Sequence, residues 1–442
     1  MRSQRSRQAK KRRLKFLKKI ELILFILIIF ATIIFINKFT HRNKNTELNT
    51  SKESNLTENF ANENINIENK TETNTEEANN NTTENKADST FTMAITGDIM
   101  CHNTMYMDAY NSSKSSYDFS YYFDDIKYHL QTPDITVGNL ETTFAGSKVG
   151  YSGYPTFNTP EILAKNLKQV GFDVVSTANN HCLDKGYNGV ASTIKYLDQA
   201  DLSHTGIFTS KEEQDNILIK NVKGVSIAFL SFTYGTNGIP VPKGKDYCVN
   251  LIDKEHILNQ INLAKEKNPD IICVAMHWGI EYQTKQNATQ KDLADFLFDN
   301  GADIILGNHP HVPQPMEKRT IKLADGTKKD GFVIYSLGNF MSNQNKQYTQ
   351  DSAIVNLTVT KHGDTNKISI DKATYTPIYM YKDSSKSKKK FKILDINKNI
   401  EAYEAGNKTI NKTTYNALKT ELKNIKKIIG KEIKWKFRDR IF

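Results

Sequence analysis

Seven short apolar runs between residues 91 and 337 constrain the fold more than any other feature of this chain. Each run has five to eight residues, is rich in β-branched side chains and is too short for an ordinary helix, so each predicts a strand buried on both faces. The runs are FTMAIT (91–96), DITVG (134–138), FDVVSTA (172–178), VSIAFLSF (225–232), IICVAM (271–276), ADIILG (302–307) and GFVIYSL (331–337).

Amphipathic segments separate these runs. Apolar side chains recur with helical spacing in residues 160–171, 189–200, 255–268 and 290–301. Alternation of buried strands with amphipathic helices is typical of the α/β class. Residues 352–380 continue the pattern with β-branched stretches that predict further strands.

The N-terminus has the composition of a membrane anchor. Residues 1–19 contain ten Lys or Arg and no acidic residue, and residues 20–37 are apolar apart from Glu21, Thr32 and Asn37. At 1.5 Å per residue, such a helix is just long enough for a hydrocarbon core of roughly 30 Å. The positive charges before it predict a cytoplasmic N-terminus and an extracytoplasmic main domain. A cleaved signal peptide fits less well, because the run exceeds a usual h-region and no Ala-x-Ala-like site follows.

Charge and composition divide the rest of the chain. Residues 38–90 are rich in Asn, Thr, Glu and Lys and predict a disordered linker, since they cannot bury enough apolar surface to fold. Residues 91–382 form the predicted globular domain. Residues 383–442 form a basic extension with 17 basic and seven acidic residues. The net charge of +11 therefore belongs to the two ends, which argues against a nucleic-acid-binding protein.

Residues 415–442 predict a basic amphipathic helix. It either packs on the domain with a solvated outer face or contacts an anionic envelope polymer or membrane surface. Both interpretations remain open at this stage.

Four cysteines are too sparse for a disulfide scaffold and contain no Cys-x-x-Cys pair. Buried free thiols are expected for Cys101, Cys182, Cys248 and Cys273. A Cys101–Cys182 bridge is the alternative, because both residues adjoin the edge of the sheet described next.

Polar side chains with metal-binding chemistry follow five of the predicted strands. In α/β sheets, functional sites form at the carboxyl ends of strands, so these side chains are expected to meet at one edge. They are Asp98 after the first run, Asn139 and Glu141 after the second, Asn180 and His181 after the third, His277 after the fifth, and His309 and His311 after the sixth.

This donor set suits a transition metal. Imidazole together with carboxylate favours Zn, Mn or Fe. Pro310 stiffens the backbone between His309 and His311. We therefore predict a centre for one or two divalent ions at this edge.

The motifs TGDIM, VGNLET, STANNHCLDKG, MHWG-x-EY, GNHPHVPQ and YSLGNF, in this order over residues 91–345, resemble the poly-γ-glutamate capsule biosynthesis protein CapA (PgsA) family. That family is similar to the calcineurin-like metallophosphoesterases. The resemblance implies a four-layer fold, with two packed β-sheets flanked by helices. It also implies a membrane-anchored, extracytoplasmic component of polymer synthesis or export, with membrane-bound synthase or export subunits and an anionic envelope polymer as partners.

The resemblance also assigns roles to individual residues. Asp98, Asn180, His277, His309 and His311 match metal ligands of the phosphoesterases. His181 matches the histidine that assists the leaving group and is the candidate catalytic residue.

Two positions depart from the phosphoesterase pattern. The histidine of the Asp-x-His motif is Met100 here, and the bridging aspartate is Asn139, with Glu141 as a candidate substitute. His102 follows Asp98 on the same strand face but lies beyond the expected strand end. These departures leave the first metal position short of ligands.

Three functions are therefore compared. The first is CapA-type biosynthesis or export of a capsule or envelope polymer such as poly-γ-glutamate. The second is metal-dependent hydrolysis of phosphoester or amide bonds in an envelope polymer, in which metals activate a water and His181 donates a proton. The third is a non-catalytic, polyanion-binding accessory. The sequence favours the first and leaves catalysis open.

Overall fold

The two main β-sheets seen in the computed structural model are built from the strands predicted above and several more. The structure describes residues 86–322, 326–430 and 433–434. The predicted cytoplasmic segment 1–19, the predicted anchor 20–37 and residues 38–85 of the predicted linker lie outside these ranges. Within the described ranges, no helix combines the length and the hydropathy needed to cross a membrane.

The strands of the described residues range from two to fifteen residues. They are β1 (Ser89–Ile99), β2 (Tyr110–Asn111), β3 (Ser116–Tyr117), β4 (Ile135–Leu140), β5 (Val174–Ser176), β6 (Ser203–Thr205), β7 (Leu218–Val222), β8 (Val225–Thr233), β9 (Ile271–His277), β10 (Ile304–Asn308), β11 (Met316–Lys322), β12 (Lys328–Ile334), β13 (Asn339–Met341), β14 (Asp351–Lys361), β15 (Ile368–Lys382), β16 (Phe391–Asp395) and β17 (Ile433–Lys434).

The α-helices of the described residues fall mostly between these strands. They are α1 (Asn103–Ala109), α2 (Lys127–Gln131), α3 (Ile162–Val170), α4 (Gly186–Gln199), α5 (Lys211–Asp215), α6 (Lys254–Glu266), α7 (Ala288–Asp299), α8 (Ile396–Glu404) and α9 (Lys412–Ile429). All four predicted amphipathic segments are helical, as α3, α4, α6 and α7.

The strands form two large mixed sheets and a small ribbon. The first sheet has the order β16-β15-β14-β1-β4-β5-β6, with β13 also paired to β1 and β17 to β15. The second has the order β11-β12-β10-β9-β8-β7. Strands β1, β4, β5 and β6 run parallel in the first sheet, as do β8, β9, β10 and β12 in the second. The carboxyl ends of each parallel set therefore lie along one edge of its sheet.

One apolar cluster fills the space between the two sheets. It joins inner-face residues of β1, such as Met93 and Ile95, to inner-face residues of β9 and β10, such as Cys273 and Leu306. The outer face of the first sheet packs on α1 and α3, and that of the second packs on α6 and α7. The predicted α/β class is confirmed, in a helix–sheet–sheet–helix arrangement.

The C-terminal extension packs on this body. Strand β16 pairs with β15 at the edge of the first sheet. Helix α9 buries Leu418, Ile425 and Ile429, which join the cluster between the sheets. Packing of the helix on the domain is thus observed, and contact of its exposed face with an anionic surface stays a prediction.

All four cysteines are free and buried. Cys101 belongs to the apolar cluster beside α1, whereas Cys182 and Cys248 lie in a separate cluster beside α4. The expectation of free thiols holds, and the alternative Cys101–Cys182 bridge is wrong because the two thiols are buried in different clusters.

Candidate metal centre

The pleat of the strands carries polar side chains into the same space that holds the apolar core. In β4, Val137 belongs to the cluster between the sheets and Asn139 follows two residues later on the same face. In β9, Ala275 and His277 repeat this relation. Alternate residues of a strand share a face, so both polar side chains face the opposite sheet at its carboxyl edge.

An irregularity in β1 brings its terminal aspartate into this space. The register with β4 shifts between Ile95 and Asp98. Gly97 allows the shift, because a Cβ there would overlap the Gly338 carbonyl oxygen. A bulge of this kind re-aims the following side chain, and Asp98 lies in contact with Asn139 from β4.

Asp98 is fully buried and fixed by three hydrogen bonds. Its Oδ1 accepts from Asn139 Nδ2 at 2.8 Å. Its Oδ2 lies 3.0 Å from His311 Nδ1 and accepts from the His309 backbone N–H at 3.4 Å. The Asp98 carboxylate therefore links the first sheet to the loop that follows β10 of the second sheet and carries His309 and His311. This loop is called the histidine loop below.

Glu141 is the most strongly constrained acid in the centre. Its side chain has no solvent exposure, and neither carboxylate oxygen has a hydrogen-bond partner. Its Oε1 lies 3.6 Å from His277 Nε2 and 3.8 Å from His311 Nε2. Burial, followed by the negative charge of Asp98, raises the pKa of Glu141 well above its usual range. A buried carboxylate without partners is costly, so this position is suited to a bound cation.

The histidine loop has an unusual backbone. His309 and His311 have φ values of 96° and 58°, in the left-handed region that non-glycine residues rarely adopt. Residues held in such conformations concentrate at functional sites. The His309 Nδ1 atom is buried without a hydrogen-bond partner, so its lone pair is available to an ion.

The side chains of His277 and Asn180 are in contact with each other. His277 Nε2 lies 2.8 Å from Asn180 Oδ1, and Asn180 Nδ2 donates to Asn237 Oδ1 at 3.0 Å. Burial and the neighbouring histidines lower the pKa of His277 well below its usual value. Burial also lowers the pKa of His309 to about 4. Both rings are therefore neutral near pH 7, as metal binding requires.

Three groups of ligand atoms in the described residues lie close enough to hold an ion, with all atoms of a group within 4.8 Å of one another. They are Glu141, His277 and His309; Asp98, Glu141 and His311; and Glu281, His309 and His311. The first two groups share Glu141. The structure thus brings five of the predicted residues, Asp98, Glu141, His277, His309 and His311, together in candidate ligand groups, and this donor set fits divalent transition-metal ions.

His181 lies beside this cluster in a dyad that the sequence prediction missed. Its Nδ1 is 2.7 Å from Asp184 Oδ2, and both side chains are buried. Asp184 also accepts from the Phe157 backbone N–H at 2.6 Å. The carboxylate fixes the ring through Nδ1 and leaves Nε2 for other contacts. In the sequence, the His-x-x-Asp spacing of the NNHCLD segment was the signal that could have identified this pair.

The residues at the departing positions have other partners. Met100 is buried, and its backbone N–H donates to the Met341 carbonyl oxygen at 2.7 Å. His102 Nδ1 accepts from the Asn343 backbone N–H at 3.2 Å, and His102 is in none of the three ligand groups. Neither residue supplies the missing donor of the Asp-x-His motif.

Two further residues at the centre were also missed. Glu281, on the exposed loop after β9, is in the third ligand group. Tyr234, after β8, places its ring 4.5 Å from that of His309 while 49% of its side chain remains exposed. Burial raises the pKa of Tyr234 to about 12. Both residues lie in loops, where strand periodicity carries no information about direction.

Among solved structures, the calcineurin-like phosphoesterase YfkN from Bacillus subtilis superposes with a TM-score of 0.37 at 16% sequence identity. The superposition covers 76% of this chain and 98% of that one.

Sequence comparisons place the chain in a family. The PGA biosynthesis protein CapA of Bacillus subtilis strain 168 is 32% identical over 309 residues, covering 68% of this chain and 77% of that protein. The capsule biosynthesis protein CapA of Bacillus anthracis is 34% identical over 272 residues, covering 60% of this chain and 62% of that protein, so the match spans less than two thirds of that relative. The family model described as "Bacterial capsule synthesis protein PGA_cap" matches residues 92–344. The resemblance inferred from the motifs is thus confirmed, and the chain belongs to the bacterial capsule synthesis protein family PGA_cap.

Proposed function

We propose that this protein acts in biosynthesis or export of a capsule or envelope polymer such as poly-γ-glutamate, through a domain with a divalent-metal centre. Family membership supports the process. The metal centre rests above all on Glu141, whose two buried carboxylate oxygens lack partners while Oε1 lies within 4 Å of two histidines. A cation at this point would satisfy groups that otherwise oppose folding.

The ligands proposed for the centre come from both sheets and the intervening loops. They are Asp98, Asn139, Glu141, Asn180, His277, His309 and His311. The side-chain oxygen of Asn139 accepts from Ser176 Oγ at 3.0 Å and its amide nitrogen donates to Asp98. Besides serving as a candidate ligand, Asn139 thus orients Asp98, and Glu141, which two of the ligand groups share, would be the ligand available to both ions.

For catalysis, the bound metal would supply an activated water and polarise the scissile group. The remaining chemistry belongs to the side chains. His181 would hold a proton at Nε2 for the leaving oxygen or nitrogen, and Asp184 would keep the ring in place through Nδ1. This arrangement suits hydrolysis of a phosphoester or amide bond in an envelope polymer.

A second candidate function is a non-catalytic, polyanion-binding accessory. Met100 and Asn139 favour it, because each replaces a metal-binding side chain of the phosphoesterase pattern with one that is a weaker ligand or no ligand. In either case, we propose an anchor at residues 20–37, an extracytoplasmic domain, and membrane-bound synthase or export subunits as partners.

The test combines metal content with polymer output. Purified full-length protein is reconstituted separately with Mn, Zn and Fe, and bound metal is measured by elemental analysis. His277→Ala is compared with His204→Ala, a matched control whose ring contacts Asp198 rather than the centre. Loss of metal and of surface polymer with His277→Ala alone supports the proposal. A wild-type protein that retains none of the three ions contradicts it.

A further inference from the structure

We propose that Glu281 is a metal ligand that acts from the solvent-exposed side of the centre. The inference rests on the metal centre proposed above and adds a donor that no phosphoesterase motif supplies. Its carboxylate lies within 4.8 Å of ligand nitrogens of both His309 and His311. The placement follows from the loop after β9, which contacts the histidine loop through the hydrogen bond from the Tyr282 backbone N–H to the Pro310 carbonyl oxygen.

The histidine pair has a carboxylate on each of two sides. Glu141 shares one ligand group with His309 and another with His311, and it is fully buried. Glu281 shares a group with the same two histidines, and it is exposed. An ion beside this pair can therefore be approached by one acid from the core and by another from solvent.

Donor counting indicates which ion position a second acid would join. Without Glu281, the first position has the donors Asp98, Glu141 and His311, because Met100 replaces the usual histidine. The second position has Glu141, His277, His309 and the Asn180 oxygen, which makes four. Structural zinc sites almost always have four protein ligands, and catalytic zinc sites have three protein ligands and a water. Glu281 would bring the first position to the same number.

The loop that carries Glu281 is held in place on both sides of this residue. The Trp278 backbone N–H donates to the Asn308 carbonyl oxygen at 3.1 Å, and the Tyr282 backbone N–H donates to the Pro310 carbonyl oxygen at 2.8 Å. The buried Gln314 side chain donates to the Gln283 carbonyl oxygen at 2.7 Å. A ligand on a loop fixed to the opposing ligand loop is preorganised, which favours metal binding over free movement in solvent.

The carboxylate of Glu281 forms no ion pair in the described part of the chain. No Lys, Arg or His side chain there lies within ion-pair distance of its carboxylate, whereas many other surface acids pair with lysine, such as Asp215 with Lys211 and Asp125 with Lys398. An exposed acid that lies beside His309 and His311 and forms no ion pair among the described residues is available to a cation.

The experiment is a calorimetric titration of metal-free, full-length protein with Mn²⁺. Glu281→Gln keeps the shape of the side chain and removes its charge, and Glu255→Gln on α6 is a matched control at an exposed acid that belongs to none of the three ligand groups. We expect Glu281→Gln to weaken one of the bound ions at least 10-fold, since even outer-shell partners of metal ligands contribute 10–100-fold. Glu255→Gln is expected to match the wild type, and both variants should unfold at the wild-type temperature without metal.

A titration curve of Glu281→Gln that equals that of Glu255→Gln overturns the inference, even when the wild type binds metal. A wild type that binds no metal overturns the proposed function as well, so the two failures are distinct. A double variant adds a second measure. If Glu281 and His311 bind the same ion, Glu281→Gln and His311→Ala combined should weaken binding by less than the product of the two single effects.

Discussion

The space between the two sheets has an apolar interior and a polar edge, although the same strands build both. In β4, Val137 packs in the interior and Asn139 lies at the edge; in β9, the pair is Ala275 and His277. The members of each pair are two positions apart in the sequence, and the direction of their side chains is the same. The pleat of the strand thus determines which way a side chain points. The chemistry of the side chain determines whether it joins the apolar core or the candidate metal centre.

The two regions differ in what stabilises them. Interior side chains gain about 25 cal/mol for each Å² of apolar surface buried. At the edge, the carboxylates of Asp98 and Glu141 are buried as deeply, with no solvent exposure, and burial of charge opposes folding unless a partner offsets it. Truncations in the interior should therefore lower stability, whereas changes at the edge should weaken metal binding and need not destabilise the metal-free protein.

The largest effect is expected from His309→Ala combined with His311→Ala. This change removes donors from all three ligand groups, so bound Zn, Mn or Fe should fall to background after reconstitution. Because both residues lie in a loop, far-UV circular dichroism should remain that of the wild type. Wild-type metal content in the double variant would contradict the distinction between the apolar interior and the polar edge, because the edge would then have no role in metal binding.

A large effect on rate alone is expected from His181→Ala. If the protein is a hydrolase, losing a general acid should lower turnover by about 10²–10⁴-fold, and metal content should not change because His181 is outside the ligand groups. Asp184→Asn should reduce turnover less, since it disturbs only the orientation of the ring. The measurements are hydrolysis of a phosphodiester or polymer substrate and elemental analysis. Normal surface polymer in cells with His181→Ala would favour the accessory function.

Leu306→Ala tests the interior. Leu306 is 2% exposed and packs between the sheets two residues before Asn308. Truncation of a buried leucine should lower the free energy of unfolding by about 2–5 kcal/mol. Denaturant titration of the metal-free protein measures this loss, and Mn²⁺ affinity should stay within about 3-fold of the wild type at temperatures where the variant is folded. A selective loss of metal affinity would show that the interior and the edge are coupled.

A smaller effect of opposite sign is expected from Glu141→Gln. Burial raises the pKa of Glu141 in the folded state above its unfolded value. The metal-free wild type should therefore lose stability as the pH rises from the unfolded pKa towards the folded pKa, because the folded state must give up a proton or keep it at increasing cost. Glu141→Gln removes this dependence, and it should weaken metal binding while stabilising the metal-free protein at pH values above the unfolded pKa. Thermal unfolding across pH checks the sign. A variant that is less stable than the wild type at neutral pH without metal contradicts this account.

Several features of the fold and centre followed from local patterns. The apolar runs gave strands in nearly the predicted places, although the run 172–178 shortened to β5 (Val174–Ser176). Strand ends such as Asn139 and His277 could be located because alternation and the common edge of parallel strands are properties of short segments. Family motifs identified the histidine loop.

Other features depended on contacts between distant segments. Glu281 and Asp184 reach their partners through loops whose direction no periodicity encodes, and the shift in β1 that turns Asp98 inwards depends on the close approach of Gly97 to Gly338. Burial of Cys101 and Cys182 in different clusters likewise depends on how the helices pack. The sequence thus established which residues could act and at which edge they gather, since strand pleat and strand ends are local. Which donors meet within a few ångströms was decided by the packing of one sheet against the other, because that packing alone sets distances between residues far apart in the chain.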